Sequence, residues 1–248
     1  MKNKVLIVFA SLLFLGGLGA LLYPTVKTAA FQAQERQSIR QFEQYRSAPV
    51  QPETAEPDPM PAEKAKPFPE LWEACVRFNE DLNKTHQAEF TAERLEQASL
   101  NPADYGWESE VFATLSIPTV QIEAPLYLGA STANLYRGAA ILGQTSMPIG
   151  GKNTHCVIAG HRTWSATVRF LRLEEVQPGD LIYLTNPWET LAYRVIGVKT
   201  IPPDSLELVT IQPGRDLLSI FTCTYPSTRR VLVTCERIDK EEEHESNY

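Results

Sequence analysis

From residue 5 to residue 23 the chain runs VLIVFASLLFLGGLGALLY without one charged side chain, behind a start that carries Lys2 and Lys4. A helix of this length spans about 28 Å, close to the roughly 30 Å hydrocarbon core of a bilayer. The basic flank predicts that residues 1–4 stay in the cytoplasm and that the rest of the chain lies outside. Such a run is longer than the apolar core of a cleaved signal peptide. An uncleaved single-pass anchor over 5–23 is therefore the expected reading, and cleavage near Thr28-Ala29-Ala30 the competing one.

The pattern then turns polar. Residues 24–69 are expected to form an extracellular stalk. Its first part, 31–45, is rich in Gln, Glu and Arg with few apolar positions and reads as a frayed helix. Its second part carries Pro49, Pro52, Pro57, Pro59, Pro61, Pro67 and Pro69, a composition that buries too little apolar surface to order itself. Helical periodicity returns over 70–100: Leu71, Cys75, Phe78 and Leu82 make one stripe, and Phe90, Leu95 and Leu100 continue it after a break near Thr85-His86. The expected helical segment is 70–106.

Beyond it the period shortens to that of strands. Residues 111–117, 120–122, 126–128, 155–159, 181–184, 191–198, 217–222 and 230–237 read as strands, separated by turn signals such as Pro148-Ile149-Gly150-Gly151 and Pro178-Gly179-Asp180. Residues 130–136 and 166–171 read as short helices. Many short strands with sparse helices predict a mainly β fold, a closed barrel of about eight strands, the number at which side chains just fill the interior. The barrel is expected over 107–238, with an acidic tail over 239–248.

The net charge of −7 argues against a nucleic-acid partner, which calls for a basic face. The four cysteines, Cys75, Cys156, Cys223 and Cys235, form no C-x-x-C pair, so neither a zinc ribbon nor a dithiol redox motif is indicated. A metal site drawn from His155, Cys156, His161, Cys223 and Cys235 has no supporting spacing. No cofactor is expected.

The candidate chemistry lies in the last hairpin. Centring its turn between Pro226 and Ser227 sets Cys223 opposite Arg230 on one face of the ladder. A guanidinium beside a thiol favours the thiolate, the nucleophilic form. The same register sets Cys235 opposite Leu218, on the other face from Cys223, so a Cys223–Cys235 disulfide is not expected. The cysteines read mostly as free thiols. His161 stands just past a strand that leaves the core through Gly160, where rigid scaffolds present reactive groups. A histidine there suits general acid–base work for a distant cysteine. His155-Cys156 is a poorer pair, because neighbours on a strand point to opposite faces.

Three blocks carry a family resemblance. Gly143 to Thr154 (GQTSMPIGGKNT), then Ala159-Gly160-His161-Arg162, then Phe221-Thr222-Cys223-Thr224 with Arg230, resemble the sortases of Gram-positive bacteria. The segments at 181–188 and 190–195 look most like class C, the pilin-polymerising branch. The resemblance covers about half of the chain, roughly residues 107–238. It implies an eight-stranded barrel and a cysteine transpeptidase that cleaves LPxTG-like sorting signals through a thioester on Cys223. In that reading His161 is the acid and base, and Arg230 stabilises the oxyanion or orients the substrate. The implied partners are surface proteins or pilins bearing sorting signals, and an amine acceptor that is a pilin lysine or a peptidoglycan precursor.

The sequence departs from the class C pattern in several places. The link from Cys223 to Arg230 is shorter than usual, which keeps Arg229 as a second candidate. Ile141 stands where the family often has a histidine, and no second apolar span follows. The Asp-Pro-aromatic lid is absent: the one Asp-Pro, Asp58-Pro59, comes too early and precedes Met60, leaving Pro102 with Tyr105 or Trp107 to cover the groove. Pilin polymerisation is the first reading and anchoring of surface proteins to the cell wall the second. A catalytically silent scaffold and thiol–disulfide exchange stand further behind.

Overall fold

The computed structural model describes residues 2–47, 66–85, 87, 91–162, 170–224 and 226–239. His86, most of the helix expected over 166–171 and the acidic tail from residue 240 lie outside the described residues.

The first element is one helix, α1 (Lys2–Ser47), long and apolar enough to cross a membrane. It does not stop where the apolar run stops. Residues 24–47 of the expected stalk continue it, with Pro24 inside the helix, and its second half packs on the barrel. The stretch read as a frayed helix holds a stripe at spacings of four and three: Phe31, Glu35, Ser38, Phe42 and Tyr45. Phe42 is fully buried against Trp107, with ring centroids 5.8 Å apart, and Tyr45 meets Trp107 at 4.9 Å. The few apolar residues here are large and fall on one face, and that matters more than their number.

Next come α2 (Pro69–Lys84) and α3 (Ala92–Glu96). The α2 stripe buries Leu71, Ala74, Cys75 and Leu82. One polar residue shares it: Asn79 donates to the Met147 carbonyl at 3.4 Å and accepts from the Met147 amide at 2.7 Å, which latches α2 to the barrel.

The strands are β1 (Ala113–Ile117), β2 (Ile122–Leu128), β3 (Ala139–Ile141), β4 (Thr154–Ala159), β5 (Leu181–Thr185), β6 (Thr190–Ile201), β7 (Asp216–Cys223) and β8 (Arg230–Arg237). They close into a barrel in the order β1-β2-β3-β4-β7-β8-β6-β5. The expected mainly β barrel of eight strands is the observed architecture, but two strands were counted differently. The run at 126–128 lies in β2, but of the run at 120–122 only Ile122 does: Val120 ends a 3₁₀ turn (Pro118–Val120) and Gln121 is left-handed. β2 continues through Pro125, which sits opposite Thr114 of β1 and precedes the first residue pair with β3. β3 has no signal in the sequence because three residues, Ala139-Ala140-Ile141, are too short a run to show a period. The helix α4 (Thr132–Arg137) crosses from β2 to β3, which makes that pair parallel.

Alternation sorts each strand into an inner and an outer face. The inner residues Cys156, Ile158, Leu218, Ile220, Val233 and Cys235 join the barrel core with Leu115, Leu126 and Leu184. The outer face of β4 and β7 is closed over as well. His155, fully buried there, makes ring contacts of 2.8 Å to the Thr210 carbonyl and 2.8 Å to Ser219 Oγ.

Burial lowers the His155 pKa, against a raising contribution from its bond to the Thr210 carbonyl. The unfolded chain therefore takes up a proton there that the fold resists, and stability is lost as pH falls through the unfolded histidine value of about 6.5. Thermal unfolding followed at pH 7 and pH 5 should show a larger drop for the wild type than for His155→Gln. Equal drops would assign the acid sensitivity elsewhere.

Candidate active site

Two strand pairings bring the expected site residues into one line. β4 and β7 run parallel with Ala159 opposite Phe221. The ladder continues past the end of β4: the Gly160 amide donates to the Phe221 carbonyl at 3.1 Å, and Thr222 Oγ1 donates to the Gly160 carbonyl at 2.8 Å. One more residue in this register sets His161 beside Cys223. On the other side β7 and β8 run antiparallel with Cys223 opposite Arg230, the pairing expected from the turn. Adjacent strands lie about 4.8 Å apart, so the cysteine stands between the histidine and the arginine positions, one strand from each.

Arg230 Nη1 donates to Cys223 Sγ at 3.0 Å. Arg229 turns the other way and donates through Nη2 to the Thr200 carbonyl on β6 at 3.0 Å. The short turn is closed by its own bonds. The Thr224 amide donates to the Arg229 carbonyl at 2.9 Å, and Thr224 Oγ1 donates to the Pro226 carbonyl at 2.8 Å. Seven positions suffice to carry the strand from Cys223 back to Arg230 because Thr224 replaces part of a longer loop's bonding with its hydroxyl.

The four cysteines are all free, and their surroundings separate them. Burial pushes the Cys75 thiol up to about 12 and raises Cys156 and Cys235 further, so these three stay protonated and inert. Cys223 alone of the four is partly exposed. His155 and Cys156 point to opposite faces, as expected: His155 is held by Thr210 and Ser219, while Cys156 belongs to the barrel core.

His161 is exposed, and its chain neighbours are clamped to the 3₁₀ turn Phe170–Glu175. A Cβ on Gly160 would lie 2.0 Å from the buried Phe170 ring, so only glycine lets the strand pass. Arg162 makes a two-pronged ion pair with Glu174, both bonds at 2.8 Å. That pair holds the Glu174 carboxyl below the usual carboxylate range. Nothing in the sequence joins Arg162 to Glu174, because the two are ordinary charged residues twelve positions apart with no shared periodicity.

A second apolar cluster floors the same face. It contains Val157 and Ala159 of β4, Leu232 of β8, Leu142 and Val209, with Phe221, Ile201, Leu208 and Leu95 against it. Phe221 and Leu232 are in register with each other and two residues from Cys223 and Arg230, on their side of the sheet. Leu95 of α3 is drawn onto it by its carbonyl, which accepts from the amides of Ala130 and Gly143, both at 3.0 Å. Gly143 is required there, since a Cβ would sit 2.1 Å from the Arg94 carbonyl. Trp107 is not over this face. It packs with Phe42, Tyr45 and Phe68.

The sequence model of the sortase domain matches residues 115–238. Among curated proteins, sortase A of Streptococcus agalactiae is 28% identical over 130 residues, which cover 51% of this chain and 52% of that protein. The chain thus spans about half the length of that relative. Among solved structures, sortase C-1 of Streptococcus pneumoniae matches with a TM-score of 0.65 and 26% identity, covering 82% of this chain and 98% of that one. A pilus-related sortase C of Group B Streptococcus matches with a TM-score of 0.59 and 28% identity, covering 69% of this chain and 91% of that one.

Two outcomes follow from this geometry. Arg230→Ala, which removes the guanidinium that donates to Cys223 Sγ, should lower turnover at that cysteine by about 10²-fold or more, while Arg229→Ala stays near the wild-type rate. Steady-state kinetics on the two variants decides it, and the reverse order would place the turn wrongly. Gly160→Ala should destabilise the domain by about 1–3 kcal/mol through overpacking against Phe170. Denaturant unfolding measures that cost.

Proposed function

The chain belongs to the sortase family, and from that premise we propose that it is a membrane-anchored cysteine transpeptidase in which Cys223, His161 and Arg230 do the chemistry. The anchor is residues 5–23 of α1, with 1–4 on the cytoplasmic side and the barrel of 107–238 outside. The observation that carries the reading is the line of three residues across β4, β7 and β8, with the one partly exposed thiol at its centre.

In the first half-reaction the Cys223 thiolate adds to the carbonyl carbon of the scissile peptide bond of an LPxTG-like signal. The oxyanion that forms is met by the Arg230 guanidinium. His161, as imidazolium, gives its proton to the leaving amine as the C–N bond breaks. The substrate is left as a thioester on Cys223. In the second half-reaction an amine enters, His161 takes its proton, and attack on the thioester carbon releases Cys223 as thiolate. Protons balance over the cycle. The apolar floor of Ala159, Phe221 and Leu232 suits the aliphatic side chain of such a signal.

The acceptor is read as a lysine of a pilin subunit, because structural neighbours include a pilus-related sortase C. Transfer to a peptidoglycan amine is the second reading, favoured by the similarity to a sortase A. Both share the first half-reaction and differ only in the amine.

Mass spectrometry of the enzyme mixed with sorting-signal peptides should reveal a thioester adduct on Cys223. Cys223→Ala should abolish both adduct and cleavage while its circular dichroism stays that of the wild type. Retained cleavage would sink the assignment. Offering a pilin-derived lysine peptide and a peptidoglycan-stem amine in competition then distinguishes the two acceptors.

A further inference from the structure

The helix that carries the apolar run also fixes which end of the barrel is nearest to it. Along α1, the earlier residues Gln32, Glu35, Arg36 and Ile39 share a groove of about 740 Å³ with Pro118, Val120 and Gln121, which follow β1, and with Leu171 and Arg172 of the 3₁₀ turn. The later residue Tyr45 accepts from the Glu108 amide at 3.2 Å and donates to the Gly106 carbonyl at 2.9 Å, in the segment that precedes β1. The helix therefore lies along β2 and opposite in direction to β1, and its membrane end lies where β1 ends and β2 begins.

Strand directions carry this to the site. β1 is antiparallel to β2, β2 parallel to β3, β3 antiparallel to β4, and β4 parallel to β7. So β1, β4 and β7 all finish at the same end of the barrel, the end that presents His161 and Cys223. The 3₁₀ turn Phe170–Glu175 joins the two: Leu171 and Arg172 line the α1 groove, while Phe170 and Glu174 hold Gly160 and Arg162.

Distance follows from helix rise. Gln32 and Ile39 lie nine and sixteen residues past Tyr23, or about 14 and 24 Å along the axis. Pro24 removes one rung and permits a bend, but the helix is not interrupted there. Lys27, with its ammonium 5.8 Å from the Phe31 ring centroid, comes four residues past Tyr23, the position at which a basic side chain suits lipid phosphate.

We infer that the catalytic end of the barrel faces the lipid surface at a fixed height of about 14–24 Å above the hydrocarbon, set by the continuous helix α1. The surface formed by residues 118–121 and the turn Phe170–Glu175 is the one apposed to the headgroups. The consequence is functional. The site is held at the membrane for substrates presented there, and is not carried away from it on a loose stalk. This inference rests on reading α1 as the anchor.

The test uses the full chain in phospholipid nanodiscs with an acceptor dye on the lipid headgroups. A donor dye is placed on Thr119→Cys at the catalytic end, or on Ala103→Cys at the far end, each in a Cys223→Ala background where the other cysteines are buried. Energy transfer should be clearly higher from position 119. Equal transfer, or more from position 103, overturns the orientation while leaving the anchor intact. A chain that does not enter the discs overturns the anchor reading and the orientation together. In a second arm, with Cys223 restored, a flexible Gly/Ser insertion after Thr25 should lower turnover of a disc-tethered sorting peptide several-fold and leave turnover of the free peptide unchanged. Unchanged turnover of the tethered peptide counts against the inference.

Discussion

The parallel pairing of β4 with β7 is the constraint on which the rest of the molecule depends. It is made between strands separated by more than fifty residues of chain, so local preference cannot set its register. It is pinned at both ends by side chains. At the start, Asp216 of β7 accepts from Thr154 Oγ1 of β4 at 3.3 Å, from the Gly151 amide at 2.7 Å and from the Tyr193 hydroxyl at 3.0 Å. At the finish, Thr222 donates to the Gly160 carbonyl. A slip of one residue would break both pins, turn every side chain of β7 to the wrong face and separate Cys223 from His161.

The pins are polar groups in a nearly dry place, and this explains their specificity. Burial raises the Asp216 pKa, while the Gly151 amide, the Tyr193 hydroxyl and the Thr154 hydroxyl oppose that rise. A carboxyl so placed is tolerable only in the one register that supplies all its donors. Apolar pairs such as Ile158 with Ile220 contribute cohesion, while the pinned polar groups penalise any other register. Cohesion and register therefore come from different residues of the same two strands.

Much of this was legible in the sequence where a signal is local. The β8 boundaries, the Cys223–Arg230 pairing and the separation of His155 from Cys156 follow from period two and from one turn, and they stand in the structure. Legibility fails where a contact depends on distant chain. The strand predicted at 126–128 starts four residues earlier, because the register with β1 carries it through Pro125 back to Ile122. The docked half of α1 was undervalued because a count of apolar residues ignores that Phe42 and Tyr45 fall on one face beside Trp107. The Arg162–Glu174 pair has no signature at all, because each partner is an ordinary surface residue until the fold brings it in.

So short a hairpin can hold Cys223 and Arg230 in contact because its turn is closed on itself. A flexible loop between Cys223 and Arg230 would leave the guanidinium free to find water or the Thr200 carbonyl that Arg229 occupies. Closing the turn through Thr224 commits Arg230 to the ladder and leaves it one direction in which to point, toward the sulfur. The arginine is thus placed by backbone pairing, and its side chain has less freedom left to lose than that of a loop arginine. On the opposite side, Phe170 and Glu174 do for the histidine what Thr224 does for the arginine, by holding residues 160 and 162 so that residue 161 is presented. The cysteine itself needs no such support, because it is the last residue of a strand paired on both sides.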